Sequence, residues 1–449
     1  MSNNSPPSKT PTRSLKQLAL NGSIWTLGGY AAAQLLRLGS NVILAKLLFP
    51  EAFGLMVLVT IFMQGIAMFS DIGIVPSIIQ NKRGDDISFL NTAWTIQVIR
   101  GFLIWAIACI GAYPYATIYN EPLLIAMLPI AGLTAIIAGF NSTSLATSNR
   151  KLNLGRLTIL EFVSQAISIA VMIGWVLIHP TVWGLVAGGI ASAFVKMILS
   201  HIWLGEIRNK LYWDRDAANS LFRFGRWILA STALTFFAKQ IDRLLLGFYL
   251  GTATLGIYSI AAMFKDTANA SIQMLGSKVL FPSYSELVRT GDNKRLYNAQ
   301  KKIRLIMIAG SWSVSILLIF LGPVIINYLY DERYRDAVWM IQILPLGTLV
   351  GVLSLTYQNM YLAKGRSDFI TLILMVQLIL QSFVIIIGYY YFKLFGVIIG
   401  LAMIGWLIYP INAYLIHKLK LWQPAIDIPV ILAAMLFAIT YLEYTNFII

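Results

Sequence analysis

The chain has 449 residues, 58% of them apolar and 12% charged, with a formal net charge of +15 and a mean hydropathy of +0.73. Soluble domains carry about 25% charged residues, so a water-soluble globule is excluded. Nucleic-acid binding is excluded as well: the basic residues collect in short gaps between apolar blocks, and no aromatic-basic platform accompanies them.

Residues 1–16 are polar, then basic (Lys9, Arg13, Lys16), as in a cytoplasmic tail. Apolar blocks follow at 17–48, 51–79, 88–114, 122–147, 156–178, 181–204, 219–250, 253–283, 303–329, 335–362, 368–391, 394–416 and 425–446. A spanning helix needs roughly 20 apolar residues, and lipid tolerates only helices or closed barrels. Barrel strands alternate over about ten residues, whereas these runs are longer and apolar throughout. The spacing predicts an all-α polytopic membrane protein. The first block is too long for a cleaved signal peptide and is expected to be the first spanning helix.

Basic residues fill every second gap: Lys82 and Arg83; Arg150, Lys151 and Arg156; Arg208, Lys210 and Arg215; Arg289, Lys294, Arg295, Lys301, Lys302 and Arg304; Lys364 and Arg366; Lys418 and Lys420. The intervening gaps carry almost none, apart from Lys393 and an Arg333/Arg335 pair offset by Asp331, Glu332 and Asp336. The positive-inside rule therefore puts the N-terminus in the cytoplasm. Twelve spans leave Lys418 and Lys420 inside, and a thirteenth places the C-terminus outside.

The longest inner gap splits the chain near its middle. The predicted domains are a tail (1–16), a six-helix bundle (17–206), a cytoplasmic linker (207–218), a second six-helix bundle (219–418) and a thirteenth helix (419–449). The halves look related. Gly54 follows the first helix as Gly256 follows the seventh, and the sixth block opens with Gly184 and Gly188 as the twelfth does with Gly396 and Gly400. Six spans per half is an even number, which gives a parallel repeat about an axis along the membrane normal. The Gly-x-x-x-Gly pairs are expected to serve close helix packing.

Several stretches carry a family resemblance: Arg37 through Leu44-Ala45-Lys46-Leu47-Leu48-Phe49-Pro50-Glu51-Ala52-Phe53-Gly54-Leu55, then Leu90-Asn91-Thr92-Ala93-Trp94, Asp242-Arg243-Leu244 through Gly251, and Leu255-Gly256-Ile257-Tyr258-Ser259. In these the chain resembles polysaccharide-transport flippases of the multidrug/oligosaccharidyl-lipid/polysaccharide exporter superfamily. The resemblance spans about residues 15–420. It implies two six-helix bundles forming a V and export of lipid-linked sugar repeat units. Members of the family often carry fourteen spans, whereas twelve or thirteen are expected here.

A charge at the bilayer centre costs about 2.5–3.5 kcal/mol on insertion scales, yet several lie near mid-block. The basic ones are Arg37, Arg100, Lys239, Arg243 and Lys265, and their acidic companions are Asp71, Asp242 and Asp266. The basic excess suits a lipid diphosphate, for which arginine offers a planar fork and lysine a point charge. Gln34, Arg37 and Asn41 share one helical stripe, Lys239 and Arg243 are i, i+4, and Lys265, Asn269 and Gln273 form another stripe. Gln377 and Gln381 do the same, as lining for sugar hydroxyls or as interhelical glue. Lys239 with Asp242, and Lys265 with Asp266, have an alternative as internal ion pairs. Asp71, Asp242 and Asp266 are candidates for a coupling proton or sodium ion; Asp71, alone in an apolar helix, has helix packing as its alternative.

No Walker loop occurs. Cys109 is alone, and the three histidines lie at block ends with no metal-ligand spacing. Neither an enzymatic activity, a cofactor nor a metal is expected. The expected function is a bacterial inner-membrane flippase for polyprenyl-diphosphate-linked oligosaccharides of O-antigen, capsule or exopolysaccharide, working by alternating access. Its expected partners are that lipid, the membrane lipids, and a polysaccharide polymerase with other assembly proteins. The alternatives are a multidrug or cation exporter of the same superfamily, a peptidoglycan-precursor flippase, and a membrane glycosyltransferase or ligase. The basic excess disfavours the exporter, and the enzyme lacks a catalytic constellation.

Overall fold

A computed structural model describes residues 15–205, 207–275, 281–290 and 292–445, with side chains at 15–24, 26–27, 224–231, 275, 281–283 and 293 outside the description. Residues 1–14 of the predicted tail and the end of the chain at Ile449 fall outside it, while Leu15 and Lys16 already belong to the first helix. Among the described residues the regular structure is helical. In chain order it comprises α1 (Leu15–Leu47), α2 (Pro50–Phe69), α3 (Ile74–Gln80), α4 (Ile87–Tyr119), α5 (Leu123–Gly139), α6 (Ser144–Arg150), α7 (Leu154–Ile178) and α8 (Trp183–Ile202). Then follow α9 (Arg215–Leu275), α10 (Phe281–Thr290), α11 (Asn293–Leu329), α12 (Asp336–Ile343), α13 (Leu346–Ala363), α14 (Ser367–Lys418) and α15 (Pro424–Tyr444).

Eight of these helices are long and apolar enough to cross a membrane, and two bent pairs, α5–α6 and α12–α13, raise the number to ten. In addition, α9 and α14 each hold one non-helical residue, Gly251 and Lys393. At each the chain turns back on itself. Tyr258 donates to Asp242 across the first turn. Across the second, an added Cβ on Gly388 would stand 2.5 Å from Gly396, and one on Gly400 would stand 2.1 Å from Val384. The protein is a multi-pass membrane protein.

Three expected continuous blocks are broken. Block 51–79 becomes α2 and α3, separated at Asp71, whose carboxylate accepts the Gly73 N–H at 2.9 Å. Gly73 itself is left-handed at φ 64°, a conformation glycine adopts without a Cβ clash. Asp71 is therefore not a lone acid in a helix; it caps a break in one. Blocks 122–147 and 335–362 bend by 60° and 40°.

The chain forms two compact units. One comprises Met1–Ile43, Ser70–Ala112 and Ile125–Leu229; the other comprises Leu44–Phe69, Tyr113–Leu124 and Ala230–Ile449. In the first, α8 lies antiparallel on α7. A Cβ on Gly184 would sit 2.6 Å from Val176, one on Gly188 would sit 2.2 Å from Met172, and Ser168 donates to the Gly188 carbonyl. Gly396 and Gly400 serve the two arms of α14 in the same way. The paired glycine motifs thus do the packing expected of them.

The linker is tied down in the first unit. Lys210 N–H donates to Asn91, Asp214 N–H donates to Thr92, and Tyr212 and Thr95 exchange two bonds. Asn209 bonds Ser142 and Thr143. Arg83 bridges Asp86 at 2.8 Å and Asp214 at 2.6 Å. Its guanidinium holds both carboxyls below the usual carboxylate range.

In the second unit, the start of α2 crosses the helix that follows Gly251. A Cβ on Gly54 would lie 1.9 Å from the Thr252 carbonyl oxygen, and one on Gly256 would lie 2.0 Å from that of Pro50. The contact is reciprocal and leaves no room for a methyl group. Arg333 caps the end of α1 through the Lys46 carbonyl and stacks on Phe49.

The same unit contains a sealed ion pair. Arg304 of α11 and Asp427 of α15 are each fully buried and 2.5 Å apart. Tyr357 and Tyr409 also donate to Asp427, while Arg304 donates to Thr356 and Tyr357. Sequence placed Arg304 with the inner-loop cations, because it follows Lys301 and Lys302. One helical turn further on, it points inward instead.

Two outcomes are expected. Removing one member of a buried pair strands the other charge and costs about 3–5 kcal/mol. Asp427→Ala should therefore lower the thermal unfolding midpoint of the detergent-solubilised protein sharply, and Arg304→Met/Asp427→Leu should recover much of the loss. Depressed carboxylate pKa values stabilise above the unfolded-state range of about 4 and lose that effect as pH falls through the lower folded-state values. Hydrogen exchange at residues 207–214 should accordingly stay slow at neutral pH, and in acid should accelerate below pH ~4. Arg83→Gln should abolish that acid step.

Candidate functional site

The second unit contains a half-open cavity of about 520 Å³. Five helical stretches build its wall, each with one stripe. The arm of α9 before Gly251 gives Lys239, Gln240, Asp242 and Arg243; the arm after it gives Lys265, Asp266, Asn269 and Gln273. From α13 come Gly351, Ser354 and Gln358, from the first arm of α14 Gln377 and Gln381, and from its second arm Ile404, Gly405, Ile408 and Asn412. Spacings of three and four put each set on one helix face. The lining holds three basic side chains, two acidic ones and seven amides.

The charges are arranged unevenly. Arg243 donates through Nη2 to Asp266 at 2.6 Å, and through Nη1 to Gln240 at 3.2 Å. Gln240 in turn donates to Gln64 at 3.0 Å. Lys265 Nζ stands 3.7 Å from Asp266. Asp242 is nearly buried, and one of its oxygens accepts from the wholly buried Tyr258 at 2.6 Å. Its other oxygen, with Ser354 Oγ and Gln381 Oε1, has no hydrogen-bond partner among the described residues. Gln377 donates to the Ala238 carbonyl at 3.3 Å.

Seven of the sequence-predicted site residues meet here: Lys239, Arg243, Lys265, Asp242, Asp266, Asn269 and Gln273. The Gln377/Gln381 pair joins them. The Lys265–Asp266 ion pair, the alternative to a binding role for these two charges, is present. A Lys239–Asp242 pair is not: Asp242 turns to Tyr258, and Lys239 is exposed, with no acidic partner among the described residues. Their i, i+3 spacing permits contact, but the hydroxyl of Tyr258 reaches the carboxylate from the other arm.

The remaining predicted residues lie in the first unit. Gln34 and Asn41 are half-buried on α1, and Arg37 is exposed on it. Arg100 on α4 donates to Ser70 at 3.1 Å and lies 3.8 Å from Asp71. Sequence reasoning missed Gln358, Ser354, Asn412 and Tyr258. The first two are i, i+4 on α13, the same signal that marked the stripe in α9. Tyr258 carried no signal beyond its place in a family-like motif.

A family model described as polysaccharide biosynthesis protein matches residues 43–339. The chain belongs to this family. It is 21% identical over 328 residues to a teichuronic acid biosynthesis protein of Bacillus subtilis, a match covering 69% of the chain and 63% of that relative. It is 19% identical over 362 residues to a lipopolysaccharide biosynthesis protein of Escherichia coli, covering 79% and 72%. Its fold is similar to that of the lipid II flippase MurJ in an inward closed conformation. The TM-score is 0.69 at 14% sequence identity, over 94% of this chain and 93% of that one. The family membership accords with the resemblance carried by the Pro50–Gly54 and Asp242–Gly251 stretches.

Tyr258→Phe removes the donor to a nearly buried carboxylate. The expected loss is about 1–3 kcal/mol, read as a lower unfolding midpoint in micelles.

Proposed function

We propose that this polysaccharide biosynthesis family member is a flippase. It would carry polyprenyl-diphosphate-linked oligosaccharide repeat units across the bacterial inner membrane for O-antigen, capsule or exopolysaccharide assembly. The observation that carries this reading is the lining of the cavity in the second unit: three cations over two acids, beside seven amides. Cations match a diphosphate, and amides match sugar hydroxyls. In a medium that penalises an unpaired anion heavily, such a lining lets a headgroup cross. The relatives named for teichuronic acid and lipopolysaccharide biosynthesis support the same substrate class.

In this proposal the N-terminus is cytoplasmic and alternating access exposes the load to either side. Lys239, Arg243 and Lys265 hold the diphosphate, with Asn269, Gln273 and the α13 and α14 amides on the glycan. Arg37 and Arg100, with Gln34 and Asn41, are the candidate contacts for the cargo within the first unit. The polyprenyl tail stays in lipid. A coupling proton or sodium ion is assigned to Asp242, a residue of the cavity wall whose second oxygen is buried without a hydrogen-bond partner among the described residues. Asp71 sits at a helix break beside Arg100 and is the other candidate. The protein acts as a transporter and not as a glycosyltransferase or ligase, and hands its cargo to a polysaccharide polymerase and other assembly proteins. A drug or cation exporter would want an acidic or aromatic cavity, which this lining disfavours.

Deleting the gene should make one lipid-linked glycan accumulate on the inner leaflet, detected by lipid extraction and mass spectrometry. A change in drug sensitivity with no glycan phenotype would favour the exporter. Arg37→Ala and Lys239→Ala should each abolish export at unchanged protein level. Normal export in both would remove these residues from the path.

A further inference from the structure

Asp266 occupies the place in the cavity that a phosphate would want. Its carboxylate accepts from Arg243 Nη2 at 2.6 Å and lies 3.7 Å from Lys265 Nζ, so it engages two of the three cavity cations. A carboxylate against a guanidinium is the internal analogue of a phosphate oxygen in the same fork. We infer that Asp266 is a displaceable counter-ion: a lipid diphosphate binds by taking Arg243 and Lys265 from it, and the returning carboxylate helps to expel the headgroup. This rests on the diphosphate-transport proposal and assigns a release device to its site.

Three features make Asp266, and not Asp242, the exchangeable acid. Its side chain is 44% exposed, against 20% and 21% for Arg243 and Lys265, so an incoming ligand can reach it. Asp242 is nearly buried and anchored by Tyr258. Arg243 also has a second partner, because Nη1 donates to Gln240, which donates in turn to Gln64. Releasing Asp266 therefore leaves the guanidinium one hydrogen bond that limits its reorientation.

Charge counting gives the same direction. The empty cavity holds three cations and two carboxylates, a balance of one positive charge. A diphosphate linking two organic groups adds one negative charge on each phosphorus. The filled site is then one negative charge in excess, and a low-dielectric site resists that. Neutralising Asp266 would bring the filled site to zero. Wild-type Asp266 thus keeps the affinity moderate, as a carrier that must let go requires, and its removal should trade turnover for tight binding.

The test uses the full chain in lipid nanodiscs, with farnesyl diphosphate as probe and farnesol and inorganic diphosphate as controls, followed by intrinsic tryptophan fluorescence or calorimetry; the free terminal phosphate makes this probe about one charge more negative than a diphosphate linking two organic groups, so losing the Asp266 charge favours it in the same direction. Asp266→Asn should bind farnesyl diphosphate about tenfold tighter, and export of the native glycan should fall in cells carrying it. Asp266→Ala should tighten binding in the same direction, which guards against an effect peculiar to the new amide. Tighter binding of inorganic diphosphate alone would show that the site takes a free anion, and would overturn the lipid assignment. If wild type binds and Arg243→Gln weakens binding, but neither Asp266 variant tightens it, the counter-ion role is wrong and the diphosphate site stands. A lower unfolding midpoint with weaker binding in both variants would make Asp266 a structural ion pair. If neither wild type nor any variant binds the probe, the diphosphate reading fails and the counter-ion role fails with it.

Discussion

A charge placed among spanning helices must find an opposite charge or water, because hydrocarbon offers neither. The second unit meets that demand in two ways from the same chemistry. Arg304 and Asp427 are fully buried, with two tyrosine hydroxyls closing the carboxylate. Arg243, Lys265 and Asp266 remain partly open to a cavity. The first arrangement has nothing left to bind, so it holds α15 against α11 and α13. The second can exchange its anion. One cluster is mortar and the other a socket, and the difference lies in access, not in residue type.

The socket depends on how the helices turn. Gly251 and Lys393 each reverse the chain inside one long helical run. The reversal after Arg243 brings Asp266 back to it, and brings Tyr258 back to Asp242. The reversal in α14 sets Gln377 and Gln381 beside Ile404, Ile408 and Asn412 on the same wall. Small residues make these returns possible: Gly388 with Gly396, and Gly400 with Val384, let backbones close to contact distance. Tight packing at the turn thus sets the spacing at which the polar stripes face one another.

Much of this was legible in the sequence. Block length gave the spanning helices, and the i, i+4 spacing of Lys239 with Arg243 and of Lys265 with Asn269 marked a cavity wall. Paired glycines marked the close crossings. What stayed hidden was partner choice. Asp242 lies three residues from Lys239 in sequence, yet its hydrogen bond goes to Tyr258 across a reversal that hydropathy does not reveal. Arg304 looked like an interfacial loop charge because it adjoins Lys301 and Lys302, and only its packing against α13 and α15 shows it to be internal. The breaks in the second, fourth and tenth blocks were hidden for a similar reason: mean hydropathy carries straight through Asp71–Gly73, although backbone geometry does not.

Gly54 and Gly256 meet with bare backbone on both sides, and neither tolerates even a methyl group. No rotamer can absorb strain there, and no side chain can slide to let the helices creep past each other. Two of the smallest residues in the chain thus set the distance between these helices by backbone contact alone, and any larger residue at either position would force the backbones apart.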